Sequence, residues 1–185
     1  MQAFKLQSFV LKDKNPAQSD DYDLTITGTV EDKSTHLAID YAVKGAIANI
    51  KWPRFDGKGQ RQDHLWEHTC CEIFVAAYGE RHYCEYNLSP SSQWNAYIFK
   101  DYRQFQKDLP IDSISISCIP SPPQKQLNLA AMVPLPNNLH NVSLDIGIST
   151  VIEMTRGGFF YFALTHCSTK PDFHIRESFI LHLER

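Results

Sequence analysis

The sequence predicts an all-β fold: a single antiparallel β-sandwich, jelly-roll-like, spanning residues 1–185, with about eleven strands and one short helix. Three observations carry this. Most segments alternate apolar and polar residues with period two, and those segments are rich in β-branched and aromatic side chains. Turn chemistry separates them at short intervals, with no long helical stretch between, which is the pattern of sheets packed on sheets. A chain of 185 residues also suits one core, since single cores usually serve about 100 to 200 residues.

The alternating segments fall at 4–11, 22–30, 36–43, 70–77, 83–88, 94–99, 114–119, 126–132, 142–152, 159–164 and 177–183. Between them lie Asn15-Pro16, Asp32-Lys33, Asp56-Gly57-Lys58-Gly59, Tyr78-Gly79, Ser89-Pro90-Ser91, Ser121-Pro122-Pro123, residues 134–138 and Arg156-Gly157-Gly158, all with residues that reverse a chain cheaply. The prolines lie mostly in these loops, so they punctuate strands and do not separate domains. The helix is read from Tyr102, Phe105 and Leu109, which keep helical spacing until Pro110 ends it.

Composition removes several function classes. Hydrophobic residues make up 43% and aromatics 12%, with a net charge of −3, so global disorder is excluded. The acidic excess and the lack of any run of basic residues argue against a nucleic-acid partner. A membrane span needs about 18 consecutive apolar residues, and the longest candidate, 157–165, is half that, so no membrane partner is expected. The first ten residues alternate like a strand and lack the apolar core of a secretory leader. Cys70, Cys71, Cys84, Cys118 and Cys167 are odd in number, and the adjacent pair points to opposite faces of a strand, so reduced thiols and a cytoplasmic location are expected.

One stretch breaks the bland pattern. In the segment 70–77, Cys71, Ile73, Val75 and Ala77 form a core stripe, while Glu72 sits among Cys70, Phe74 and Ala76 on the other face. A turn at Tyr78-Gly79-Glu80-Arg81 pairs Phe74 with Glu85 and Glu72 with Asn87, and so gathers Glu72, Phe74, Tyr83, Glu85 and Asn87 on one face. The next strand adds either Trp94 or the Asn95 and Tyr97 set, a register the sequence leaves open. Aromatic faces cover the C–H side of a sugar ring, while carboxylates and amides bond its hydroxyls. That reading requires both acids to reach open solvent inside a ring-lined hollow. The bland alternative pairs them with Arg54, Arg61 or Arg103.

The run Trp66-Glu67-His68-Thr69-Cys70-Cys71-Glu72-Ile73-Phe74-Val75, followed by Tyr83-Cys84-Glu85-Tyr86-Asn87-Leu88 and Trp94-Asn95-Ala96-Tyr97, resembles the core signature of DOMON-like, family 9 carbohydrate-binding-module-like β-sandwiches. The tail from Ala163 to His174 resembles the closing segment of an uncharacterised bacterial branch of that group. The resemblance implies a non-catalytic domain binding a small saccharide or sugar derivative. Trp66, Glu72, Asn87 and Trp94 match best: Trp66 and Trp94 supply stacking faces, while Glu72, Glu85, Asn87, Tyr97 and Arg103 make polar contacts. His166, Asp172 and His174 line or brace the rim of a groove bordered by residues 52–66, 89–94 and 166–174.

Other classes are weaker. The resemblance also implies haem as an alternative ligand, but only Met132 and Met154 besides Met1 are available as thioether ligands, and no Cys-x-x-Cys-His site exists. No other cofactor is implied. His64-Leu65-Trp66-Glu67-His68 has two histidines four apart, which on a helix would share a face and could bind zinc with a third ligand, but the stretch reads as a loop, where that spacing guarantees nothing, and the order is not His-Glu-x-x-His. No nucleophile elbow or phosphate-cradling loop appears, so no reaction is assigned and no catalytic residue is named. The same aromatic face could instead meet a protein partner.

Overall fold

Period-two alternation becomes two antiparallel sheets. In the computed structural model, which describes residues 1–9, 23–54, 59–121 and 126–185, one sheet runs β1 (Gln2–Lys5), β3 (Leu24–Asp32), β4 (His36–Gly45), β10 (Gln126–Pro134), β9 (Ser115–Ser121). The other runs β2 (Gln7–Ser8), β12 (Phe159–Ala163), β11 (Leu144–Glu153), β5 (Cys70–Ala77), β6 (Tyr83–Leu88), β7 (Trp94–Phe99), β8 (Phe105–Asp108), and β13 (Leu181–Leu183) pairs the start of β11. The expected first strand is split. Phe4 belongs to the first sheet, and after Leu6 the chain crosses to pair Gln7 and Ser8 with β12. The expected turns Asn15-Pro16 and Pro122-Pro123, and Asp56-Gly57-Lys58, lie outside the described residues.

The two sheets close on one core. Leu37, Ile39, Tyr41 and Val43 of β4 meet Cys71, Ile73 and Val75 of β5, Tyr86 and Leu88 of β6, and Ile146 and Ile148 of β11, all buried. Each such side chain removed from water contributes roughly 1.5–3 kcal/mol. Two phenols also tie the layers together: Tyr41 donates to the Glu72 carbonyl at 3.0 Å and Tyr86 to the Pro134 carbonyl at 2.7 Å.

The helix expected over 102–109 is a turn and an edge strand. Arg103 adopts the left-handed region at φ 52°, the Gln104 N–H donates to the Asp101 carbonyl, and the Lys100 N–H donates to the Gln104 carbonyl. The chain therefore reverses before a helical turn can close, and β8 takes its hydrogen bonds from the open edge of β7. Three apolar residues in eight do not outweigh that edge. Leu109 still buries, at the end of β8.

The outer face of the larger sheet is apolar too. Phe74, Ala76, Tyr83, Tyr97, Phe99 and Phe179 form a second buried cluster, with Phe173 packed against it. Phe173 and Phe179 come from the segment between β12 and β13, which returns across the sheet. Arg176 fastens it, donating to the Glu80 carbonyl at 2.9 Å and to Asp145 at 3.1 Å, with its guanidinium 4.6 Å from the Phe179 ring centre. Gly147 makes room, because a Cβ there would sit 2.7 Å from the Phe179 ring.

Candidate functional site

Where that returning segment stops covering β5, β6 and β7, a cavity of about 460 Å³ remains. This is the size range of small-ligand pockets, roughly 300–1,000 Å³. Its floor carries Glu72 from β5, Glu85 from β6, Tyr97 and Phe99 from β7, and Val151 from β11. Trp66, Arg103, Phe105, Tyr161 and Phe173 form the walls, with Pro171 and His174. The rings make a nearly continuous belt. Trp66 meets Tyr97 edge-on at 5.8 Å, Phe105 meets both Tyr97 and Phe99 at 6.1 Å, and Phe99 meets His174 at 5.1 Å.

The hairpin register places the acids. Glu72 pairs with Asn87 and Phe74 with Glu85, as the turn length requires, so the two carboxyls are diagonal neighbours on one face. Glu72 and Glu85 are only 3% and 5% exposed, so they line the hollow but do not reach open solvent. One oxygen of each is occupied: Ser149 donates to Glu72 Oε2 at 3.0 Å, and Asn87 Nδ2 donates to Glu85 Oε1 at 2.8 Å. Burial pushes Glu72 up to about 8, with the Glu85 charge adding to it, and burial pushes Glu85 up to about 7. Arg103 pulls both back without cancelling the cost of desolvation. The two titrate as a pair, which still holds a proton near neutral pH.

His174 stays neutral beside them. Burial, then the nearby Arg103 charge, pushes it down to about 4. Its Nδ1 lies 2.8 Å from the Tyr83 hydroxyl, which in turn accepts from the Arg103 N–H at 3.3 Å. Its Nε2 lies 3.9 Å from Glu85 Oε2, beyond hydrogen-bond range. Asp172 braces this corner, accepting from Tyr102 at 2.5 Å, from Arg103 Nη2 at 3.1 Å and from the His174 N–H at 3.1 Å. Burial raises its pKa, but those three bonds outweigh it and hold the carboxyl below its ordinary value.

Of the residues singled out in the sequence, Trp66, Glu72, Glu85, Tyr97, Arg103 and His174 line the cavity. Asn87 is fully buried beneath it and orients Glu85. Asp172 holds the rim from behind. Two are elsewhere. Trp94 is 2% exposed within the interlayer core, opposite Leu88 and under the Arg61 guanidinium at 4.5 Å, so its expected stacking role is corrected to a packing role. The open register settles on Asn95 and Tyr97, because Leu88 faces the core and the residue paired with it must do the same. His166 donates from Nε2 to the Gln7 carbonyl, 2.8 Å away, and packs on Phe9 at 5.1 Å, outside the cavity lining. The 89–94 turn likewise borders a separate depression, with Ser89 and Gln93 beside Asp63, His64 and His68.

The expected arginine partners lie elsewhere as well. Arg61 donates to Asn95 Oδ1 at 2.6 Å and to the carbonyls of Leu109 and Ile111, Arg54 is exposed, and Arg103 spends its ion pair on Asp172. Sequence reasoning missed Asp63, whose Oδ1 accepts from Asn95 at 2.6 Å and from Tyr97 at 3.0 Å and so fixes the Tyr97 ring. It also missed Phe99, Phe105, Tyr161 and Phe173. The signal was present in Phe159-Phe160-Tyr161-Phe162, where apolar rings at both parities mark a strand covered on two faces.

The paired histidines and the two methionines lie away from this cavity. His64 Nδ1 lies 3.2 Å from Glu67 and His68 Nδ1 2.9 Å from Glu153, and among the described residues no three His, Cys, Asp or Glu side chains gather as a metal site. Met154 is buried in the interlayer core and Met132 stands on β10 of the other sheet, so neither reaches the cavity.

No protein-family model and no curated protein matches the chain. Among solved structures it is similar to a putative carbohydrate-binding protein from Bacteroides uniformis ATCC 8492, with 12% identity over 96% of this chain and 83% of that one, at a TM-score of 0.66. Two structures of a family 9 carbohydrate-binding module from Caldicellulosiruptor kristjanssonii also align at 9% identity. The complex with cellotriose covers 85% of this chain and 80% of that one at a TM-score of 0.49, and the complex with glucose 86% and 83% at 0.45. The sandwich that the sequence resemblance implied is the fold observed.

Proposed function

We propose that the chain is a non-catalytic binding domain for a small saccharide, held in the ring-lined cavity on the outer face of the eight-stranded sheet. The observation that carries the reading is the combination of aromatic walls with two buried carboxyls at the floor of a hollow about 460 Å³ in volume. Ring faces accept the apolar C–H side of a pyranose. Glu72, Glu85 and the Tyr97 hydroxyl present the few convergent polar groups that fix its orientation. The sandwich shared with a protein described as carbohydrate-binding supports the same direction. Because the acid pair retains a proton, it can both donate to and accept from sugar hydroxyls.

A saccharide panel read by thermal shift tests this. A ligand at 100 times its dissociation constant adds about 2.7 kcal/mol of stability. Trp66, 39% exposed at the mouth of the cavity, provides the control: Trp66→Ala is expected to remove the ligand-induced shift while leaving the unliganded melting temperature close to that of the parent. Failure of every mono- and oligosaccharide to shift the transition would remove the reading.

A further inference from the structure

We propose that the cavity selects a saccharide bearing a protonated amine, an amino sugar or a short amino-sugar oligomer, with its ammonium group seated between Glu72 and Glu85. This rests on the saccharide reading and names the class within it. The argument is an inventory of charge around the floor. Facing the two acids are Cys70 on β5, Asn87 and Tyr83 on β6, Tyr97 on β7, Ser149 on β11, Arg103 in the β7–β8 turn, and Asp172 and His174 in the returning segment. Arg103 is the one permanent cation among them, and its Nη2 is engaged by Asp172 at 3.1 Å. His174 is neutral, for the reasons given above.

Two buried carboxyls therefore face a cavity whose one lining arginine, Arg103, is ion-paired with Asp172 and not with either of them. Among the described residues, no hydrogen bond reaches Glu72 Oε1 or Glu85 Oε2, although both residues line the hollow. Isolated buried carboxylates are expensive, which is why this pair keeps a proton. An ammonium group supplies what is lacking: three donors and a full positive charge. Diagonal neighbours across an antiparallel pair stand roughly 7–8 Å apart at the backbone, so both side chains can reach one nitrogen between them. Trp66, Tyr97 and Phe99 add ring faces that favour a cation once it leaves water. A neutral hydroxyl would satisfy the bonds but leave the charge deficit.

Seating the ammonium also displaces the shared proton. Binding of an amine ligand is then coupled to proton release, and binding of a hydroxyl ligand is not. The test is calorimetric titration of the full chain at pH 7.5, in two buffers of different ionisation enthalpy. The probes are glucosamine, glucose and N-acetylglucosamine, with their β-1,4 trimers. The expected result is at least tenfold tighter binding of the amine form than of the hydroxyl and acetamide forms, with a net release of roughly half a proton, because the free sugar amine is itself only partly protonated at pH 7.5 and takes up the remainder on binding. In the Glu72→Gln/Glu85→Gln chain that preference is expected to fall below threefold. Equal affinity for amine and hydroxyl forms, without proton release, overturns this inference and leaves the saccharide reading standing. Binding of n-butylamine as tight as that of glucosamine, with no neutral sugar bound, overturns both, while absence of binding by all of these probes overturns this inference and leaves the saccharide reading to the wider thermal-shift panel.

Discussion

Replacing Glu72 by Gln is expected to stabilise the unliganded protein increasingly as pH rises. Burial raises the folded-state pKa of Glu72 from 4.5 to about 8, so between those values the native state holds a proton that the unfolded chain has released. Stability is then fully present below about pH 4.5 and declines as pH climbs towards 8. His174 has the opposite sign, since its folded pKa is pushed down to about 4 and the stability it contributes is lost as pH falls below its ordinary value of 6.5. Above pH 6.5 that imidazole is neutral in both states, so the window from 6.5 to 8 isolates the acids. One proton over one and a half pH units, at about 1.4 kcal/mol per unit, is about 2 kcal/mol. Gln matches the shape of the protonated acid and carries no charge, so the difference between variant and parent should widen by about that amount. Urea unfolding at 25 °C, extrapolated to water at half-unit steps of pH, reads the difference directly. A difference that stays flat across the window would mean that Glu72 ionises as freely as in water, and the buried floor without an ion pair to its acids would be wrong.

Other substitutions separate packing from binding. Trp94→Ala is expected to cost about 3–5 kcal/mol in denaturant unfolding, because the indole is buried in the interlayer core, and a loss under 1 kcal/mol would return it to the surface. Gly147→Ala places a methyl against the Phe179 ring and is expected to cost about 1–3 kcal/mol, with hydrogen-exchange protection lost across 171–179 before the sheets open. Asp172→Ala removes the acceptor of the part-buried His174 N–H and of the exposed Tyr102 and Arg103, which can turn to water, and is expected to cost about 0.5–1.5 kcal/mol, while unchanged stability and exchange would show that the rim is held by Phe173 and Phe179 alone.

Much of this architecture was legible because alternation reports burial directly. The hairpin of β5 and β6 follows from turn length and parity, and those two facts also put Glu72 and Glu85 on one face. Trp94 escaped because its strand follows a loop, residues 89–93, whose path no periodicity fixes. Once Leu88 is known to face the core, the tryptophan opposite it must as well. The helix expected around Phe105 came from a window too short to distinguish periods, and a neighbouring strand edge decided the outcome. Least legible was the depth of the acids. Their burial comes from Tyr161 and Phe173, which lie far away in the chain and meet Trp66 around the cavity only after both sheets form.

The two faces of the larger sheet explain why that depth matters. One face is filled by the opposing sheet, and the other is covered by aromatic rings up to the edge of a hollow that they do not fill. If that second face served stability alone, apolar residues at 72 and 85 would serve it better, since a buried polar cluster short of partners is worth less than a packed hydrophobic one of the same volume. The chain instead carries two carboxyls there, spends an asparagine and a serine on orienting half of their oxygens, and leaves the other half facing the hollow. Such a cost would be offset by a ligand bringing the complementary donors and charge, and the pH dependence of Glu72→Gln together with the ligand-induced shift distinguishes the proposed site from an imperfectly packed face.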